Sequence, residues 1–456
     1  MNWPTFFLFV YAAFLLWLGW REFGRDQDHV SFAVAGRRSS GLTVGMSIVA
    51  SSIGGSATIG MVALSYEVGF PAIWWLWSGT LGLVVLSTFL ARRVRESGVL
   101  TMPDLIEHYM GKRARVIAAL IIVVAWSAIL AAQFSASARI VTAISPLGFG
   151  PALVLGAGVV TAYAVIGGQA SVLKSDVYQY LIVIVALLAV LGWLAGTTPQ
   201  VFAGLEFTLI NERFGAGDIA YYMLVLGGSY VVCPMLFSRL LSARDEAAAQ
   251  RAAWFGVAGI GASALVIVLI GLGVSALVGH TDAPDALLTE TLRTLLPGWL
   301  GVLLLFGLFS AIISSADSCL IVASSVFCKN ILQSRNIVVY RGFTALFGAC
   351  ALLLAFHGKS ILGFLLAAND IYVSGIVAPV FVAMLSRRAL HPRLAIAALV
   401  IGGSCGLIAA LSDIKLFSFL GVGSSLLLAL LALAKGPAST PPLGAVQEPV
   451  AACPRG

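Results

Sequence analysis

The chain has 456 residues, of which 60% are hydrophobic and 10% charged, and its mean hydropathy is +1.00. No soluble globular protein of this length hides so much apolar surface, which excludes a soluble enzyme or binding domain and leaves a polytopic membrane protein. The net charge of +7 raises nucleic acid as a partner, but the placement of the basic residues accounts for it without one.

About thirteen apolar stretches are long enough to span a bilayer, near residues 4–20, 41–64, 70–91, 115–142, 150–167, 174–196, 217–238, 252–279, 298–328, 337–356, 360–385, 393–412 and 416–434. With the N-terminus outside, the inner segments hold about 22 of the 27 Lys and Arg residues, Lys174 and Arg239 among them. The positive-inside rule therefore predicts N-out and C-in, and no nucleic-acid partner is needed. The six Cys show no paired spacing and the five His are scattered, so neither a disulfide framework nor a zinc site is indicated.

In chain order, the first span runs into a basic stretch without a small-residue cleavage site. This predicts a retained anchor helix and a basic cytoplasmic loop over residues 1–40. Residues 45–61 then place Gly54-Gly55 among Ser51, Ser52, Ser56 and Thr58, where the middle of a spanning helix should be. Glycine pairs permit unwinding, and unwound backbone at membrane depth is tolerated only inside protein or around a cavity. A close helix–helix contact through small residues is the simpler alternative. Gln133 is polar in mid-span, and Asp176 follows Gly167-Gly168 and Lys174. That order predicts either a pair with Lys174 at the inner surface or a functional carboxylate.

Residues 226–239 interrupt a second apolar run with Gly227-Gly228 and Pro234. Two interrupted helices, each opening a set of about five spans (41–196 and 217–385), fit an inverted repeat with its site at the midplane. An outer loop, 197–216, lies between the sets. Two further helices, 386–434, and a Pro-, Ala- and Gly-rich disordered cytoplasmic tail, 435–456, follow them.

The span at 309–331 has the least ordinary composition. It carries Ser310, Ser314, Ser315, Asp317, Ser318, Ser324 and Ser325. At about 100° per residue, Ala311, Ser314, Ser315, Ser318 and Ser325 share one face, with Asp317 and Ser324 at its border. Serines also pack helices together and bond back to their own carbonyls. A carboxylate within a hydroxyl stripe at membrane depth, however, is costly unless it meets a polar partner, water or an ion. Oxygen donors suit a hard cation, and Ser314, Ser315 and the Ala311 carbonyl supply three. Asn369 and Asp370 precede another span, where helix capping competes with a functional role. No constellation of nucleophile, base and metal stands out, which argues against an enzyme.

Residues 311–325 closely resemble the eighth-helix signature of the sodium/solute symporter family, relatives of proline, pantothenate and galactose carriers. Residues 45–61 resemble that family's broken first helix, 163–179 its fourth-to-fifth helix junction, and 237–245 the end of its sixth helix. The match covers nearly the whole chain in order. It implies an all-α polytopic fold of about thirteen helices, a LeuT-like core of two inverted five-helix repeats with one helix before and two after. It also implies a sodium site on the carbonyls of Ala50, Ile53 and Ala311 and the hydroxyls of Ser314 and Ser315. Asp176 matches an acidic residue tied to sodium release, and Asp317 is a further gating candidate.

Proline carriers have Asp where Ser52 stands, sugar carriers have acidic or amide groups at Ser56 and Ala57, and their aromatic pair is reduced here to Ser229 and Tyr230. These departures favour a small, partly apolar amino acid such as proline or an organic carboxylate, its anionic group facing amides at Gly54–Ser56. The solute-binding candidates are Ser52, Gly54, Gly55, Ser56, Gln133, Tyr230, Tyr372 and Ser374. The expectation is a symporter using Na⁺ as coupling ion and no cofactor, monomeric or weakly homo-oligomeric in a bacterial inner membrane. Proton coupling through Asp317 or Asp176 and a non-transporting membrane sensor are the alternatives.

Overall fold

Helices satisfy every backbone N–H and C=O without water, which is why a lipid-spanning chain of this composition folds as helices. The computed structural model describes residues 3–23, 28–203, 207–278, 288, 295–357 and 360–437. Among these, the chain is helical apart from loops and two isolated β-bridges, Ser39 with Ala243 and Asn211 with Phe214. Of the expected tail, residues 438–456 lie outside the described residues.

The long helices are α1 (Trp3–Phe23), the bent pair α2 (Gly41–Ser52) and α3 (Ser56–Val68), α4 (Phe70–Ser97), α5 (Lys112–Ile144) and α6 (Phe149–Thr197). They continue with α7 (Ala216–Ser242), α8 (Glu246–Val278), α9 (Gly298–Ile331), α10 (Ile337–Ala355), α11 (Ile361–Ser386), α12 (Pro392–Ser412) and α13 (Lys415–Ala434). Among the described residues, ten helices are long and apolar enough to cross a membrane, and eleven if the bent pair counts as one span. At 49 residues, α6 would run about 74 Å if it were straight, more than twice a hydrocarbon core, but it is two helices that meet at a break at Gly168. Gly168 has φ +59°, a conformation that L side chains rarely adopt. With α6 crossing twice and α1 once, the arrangement is consistent with the expected thirteen or so spans.

The helix with the hydroxyl stripe lies at the centre. Every residue of α9 from Gly307 to Val326 is buried. It packs against α6, α5, α2 and α10. The Tyr11 hydroxyl ties α1 to it through Ser310 Oγ at 2.7 Å. At the opposite edge, α12 and α13 pack on each other and on the wide turn Val373–Val377 of α11. Similar wide turns interrupt α3 at Ser56–Gly60 and α7 at Met223–Gly227, next to the two glycine pairs. Such bulges mark places where a helix has been bent away from regular bonding.

Candidate functional site

The site begins where α2 stops. Ser40 caps the helix start, accepting from the Thr43 N–H, and the helix runs to Ser52. Ile53 then leaves helical geometry (φ −97°, ψ 65°), and α3 resumes at Ser56 with a 57° bend. The last carbonyls of a helix lack partners in their own helix and carry the negative end of its dipole. Here that end faces α9: Ser315 Oγ donates to the Ser51 carbonyl at 2.8 Å and lies 3.2 Å from the Ala311 carbonyl. A methyl group on Gly54 would overlap Ser315 Oγ, so glycine lets the two helices approach. The Gly55 N–H donates to Gln133 Oε1 at 2.8 Å, which pins the break to α5.

The stretch that carries Ala50 and Ile53 thus crosses α9 at Ser315, with the Ser51 carbonyl and Gly54 as the points of contact, and Ala311 and Ser314 lie within one turn of Ser315 on α9. The Ser314 hydroxyl is buried without a hydrogen-bond partner. Neutral carbonyl and hydroxyl oxygens with one orphaned hydroxyl are a donor set that fits a small hard cation.

Behind this crossing is a charge cluster that sequence reading missed. Arg239 and Asp176 pair at 3.2 Å with neither side chain exposed. Arg239 also donates to Ser47 Oγ at 2.8 Å and to Ser318 Oγ, and Ser47 Oγ donates to Asp176. Asp317 lies beside the same group, its Oδ1 3.1 Å from Ser318 Oγ. One oxygen on each carboxylate, Asp176 Oδ1 and Asp317 Oδ2, is buried without a hydrogen bond.

Two expectations are corrected here. Arg239 is not a loop residue at the inner surface but a fully buried counter-ion. Asp176 does not sit at the surface: it is turned into the bundle, while Lys174 on the same helix is exposed. The physical reason is that a buried carboxylate needs a matched partner, and Arg239 supplies one. Capping is likewise not the role of Asn369 and Asp370. Ser360 caps α11 by accepting from the Gly363 N–H, and Asp370, mid-helix, accepts from Tyr221 at 3.0 Å and from Ser418 at 2.6 Å.

Ser315 also opens on a cavity, whose wall includes Ser52, Gly54, Ser56, Gln133 and Tyr230 from the expected set. Trp75, Trp126, Ser229, Cys233, Cys319 and Asn369 join them, and none of the described lining residues is Asp, Glu, Lys or Arg. With Gln133 Oε1 and the Gly55 N–H engaged with each other, Gln133 keeps its NH₂ as donor. Trp126 Nε1 is a buried donor without a partner. Trp126 and Gln133 are seven residues apart, two turns on one face of α5, a spacing that was legible in the sequence. Trp75 was hidden in Trp74-Trp75-Leu76-Trp77, which looks like an interfacial aromatic cluster.

Tyr372 and Ser374 are placed differently. Among the described residues, neither lines this cavity. The Tyr372 hydroxyl donates to the Val232 carbonyl, and Ser374 sits 3.5 Å from the Ser418 carbonyl, against α12 and α13. The wide turn after Tyr372 rotates Ser374 toward those helices.

At the end bearing most of the basic residues, the Ser39 N–H donates to the Ser242 carbonyl at 3.0 Å, and the Arg244 N–H to the Ser39 carbonyl at 2.9 Å. This main-chain pairing joins the lead-in to α2 with the end of α7.

A family model described as "Sodium:solute symporter family" matches residues 32–389. Similar curated proteins include the high affinity choline transporter 1 of Homo sapiens, 27% identical over 400 residues, covering 78% of this chain and 67% of that protein. A sodium/proline symporter of Staphylococcus aureus (strain JH9) is 25% identical over 347 residues, covering 71% of this chain and 67% of its own. Among solved structures, a Na⁺-coupled sialic acid symporter in a substrate-bound outward-open state has a TM-score of 0.79 at 15% identity, covering 94% of this chain and 97% of that one. MhsT in complex with L-phenylalanine has a TM-score of 0.62 at 14% identity, covering 87% and 99%. At these identities the two structures establish the shared helical, LeuT-like fold.

Proposed function

The chain belongs to the sodium:solute symporter family, and from that premise we propose that it imports a small organic solute together with Na⁺ by alternating access. One observation carries the reading. The carbonyl end of α2 meets the hydroxyls of α9 at a crossing that opens on the same cavity as Gln133 and the aromatic wall. Na⁺ is held there by the carbonyls of Ala50, Ile53 and Ala311 and the hydroxyls of Ser314 and Ser315. Five neutral oxygens make a site that both fills and empties, as a transport cycle requires. An ion bridging α2 to α9 favours the conformation in which both are docked, and that differential affinity is the coupling. At −100 mV, one inward Na⁺ contributes roughly 2.3 kcal/mol from the potential alone. Asp176 and Asp317, on the far side of Ser314, mark the release route.

The protein sits in a plasma membrane, the bacterial inner membrane, with its N-terminus outside and C-terminus inside. Its two five-helix repeats are 41–196 and 217–385. The solute is small and carries an alkylated ammonium group, as both proline and choline, the solutes named for two relatives, do. Rings of Trp75, Trp126 and Tyr230, together with the α2 carbonyl end, make an electron-rich wall for such a cation. Where that solute also carries a carboxylate, as proline does, the Gln133 NH₂ and the Trp126 N–H receive the anionic group. Ser52, Ser56, Gly54 and Gly55 shape the floor beside them.

The test is thermal unfolding of purified protein in NaCl against KCl. Ligand linkage predicts a saturable stabilisation by Na⁺ that Ser315→Ala removes. Equal response to both salts, with a strong dependence on pH, would overturn sodium coupling in favour of proton coupling.

A further inference from the structure

A second cleft lies on the other side of the wall that closes the solute cavity. It is lined by Leu100, Thr101, Met102, Pro234, Ser238 and Ser325, and Ser325 Oγ is buried there without a hydrogen-bond partner. The two spaces share their partition. Cys233, Met235 and Cys319 face the solute cavity, while Pro234, Ser238 and Ile321 from the same stretches face the cleft. Leu100 and Thr101 follow directly on the segment carrying Arg92, Arg93 and Arg95, the cytoplasmic side in the orientation given above.

One residue crosses the partition. The Tyr372 ring stands edge-on to Trp126, a wall of the solute cavity, with centroids 5.0 Å apart and planes at 78°. Its hydroxyl lies 3.3 Å from Met102 Sδ, a wall of the cleft, and donates to the Val232 carbonyl. That carbonyl is available because α7 breaks there: Val232 (φ −134°, ψ 83°) and Cys233 (φ −114°, ψ 120°) are both non-helical. Tyr372 itself is fully buried.

The geometry points to Tyr372 as the inner gate of the solute path, with the Thr101–Ser238–Ser325 cleft as the exit beneath it. This rests on the import reading. Breaking one hydrogen bond, Tyr372 to Val232, frees the Tyr372 side chain from the α7 break and lets the two spaces join, while Tyr221 and Asp370 still hold α7 to α11. The Ser325 hydroxyl then offers the departing solute a polar partner, while Thr101 and Ser238, which already donate to Asn330 Oδ1 and the Ala33 carbonyl, add only acceptor lone pairs.

The experiment uses the native thiols of the solute cavity as reporters. Inside-out vesicles are treated with a small, membrane-impermeant methanethiosulfonate, and labelling of Cys319 is followed by peptide mass spectrometry. Tyr372→Phe keeps the ring and deletes the donor, and is expected to raise the labelling rate by up to about tenfold, the effect of one hydrogen bond. Met102→Ala, which leaves Tyr372 intact, should shift the rate the same way. Adding Ser325→Trp to Tyr372→Phe fills the cleft and should return labelling to the wild-type rate. Unchanged labelling in Tyr372→Phe and Met102→Ala overturns the gate, and undiminished labelling with Ser325→Trp overturns the exit. Loss of the Na⁺-selective stabilisation alone would sink the sodium reading and leave these results standing.

Discussion

Arg239 and Asp176 form an ion pair at 3.2 Å that no solvent reaches, and it joins the last turns of α7 to the second half of α6. A buried charge left without its partner is far more costly than a surface charge. The pair also touches Ser47 on α2 and Ser318 on α9, so four helices converge on one guanidinium.

Arg239→Ala is therefore expected to destabilise the protein by about 3–5 kcal/mol, because Asp176 is left buried and uncompensated. Replacing both residues by Leu should restore much of that loss. Urea or thermal unfolding of the two variants in detergent checks this. Equal stability of single and double variants would show that the pair is not coupled.

Ser314 and Ser315 should separate ion binding from structure. Ser315→Ala removes a hydrogen bond to the Ser51 carbonyl and is expected to cost about 0.5–1.5 kcal/mol even without sodium. Ser314→Ala deletes a hydroxyl that lies against the buried Asp176 carboxylate and should lower sodium-free stability by no more than Ser315→Ala does. Both should abolish most of the NaCl-specific rise in Tm. A full sodium response in Ser314→Ala would remove that residue from the site.

Gly54→Ala introduces a methyl group into the space of Ser315 Oγ and the Gln133 amide. Separation of α2 from α9 should follow, with loss of sodium stabilisation. Gly168→Ala, strained by φ +59° and ψ −173° in α6, a region essentially confined to glycine, should instead cost roughly 1–3 kcal/mol and leave the sodium response intact. Salt-dependent thermal shifts of the two variants distinguish the effects.

Trp126→Phe keeps an aromatic wall and removes the unpartnered indole N–H. If that donor holds a carboxylate, KM for an amino acid should rise about tenfold or more, by loss of a charge-assisted hydrogen bond, while uptake of a cation lacking one is unaffected. Vesicle uptake with proline and choline reads the difference. Equal effects on both solutes would leave the N–H without a role in selection.

Much of the centre was legible because its composition is anomalous where it stands. A hydroxyl stripe on α9 and a glycine pair in α2–α3 violate what lipid demands, and each violation is contained in a short stretch. Arg239 and Tyr372 were not legible in the same way. Their partners lie 63 and 140 residues away, and nothing local separates a buried Arg from one of the many inner-loop basics. Ser374 looked like a neighbour of Tyr372 in the cavity, but the wide turn at Val373–Val377 breaks the helical register on which that inference depended.

The pairing of Ser39 with the end of α7 uses only main-chain atoms. Alanine replacement at Ser39, Ser242 or Arg244 leaves every donor and acceptor of it in place, so a scan of side chains would pass over this clasp in silence. Evolution is equally free to vary those side chains while the clasp persists. Only a change that deletes an N–H, proline at Ser39 or Arg244, reaches it directly.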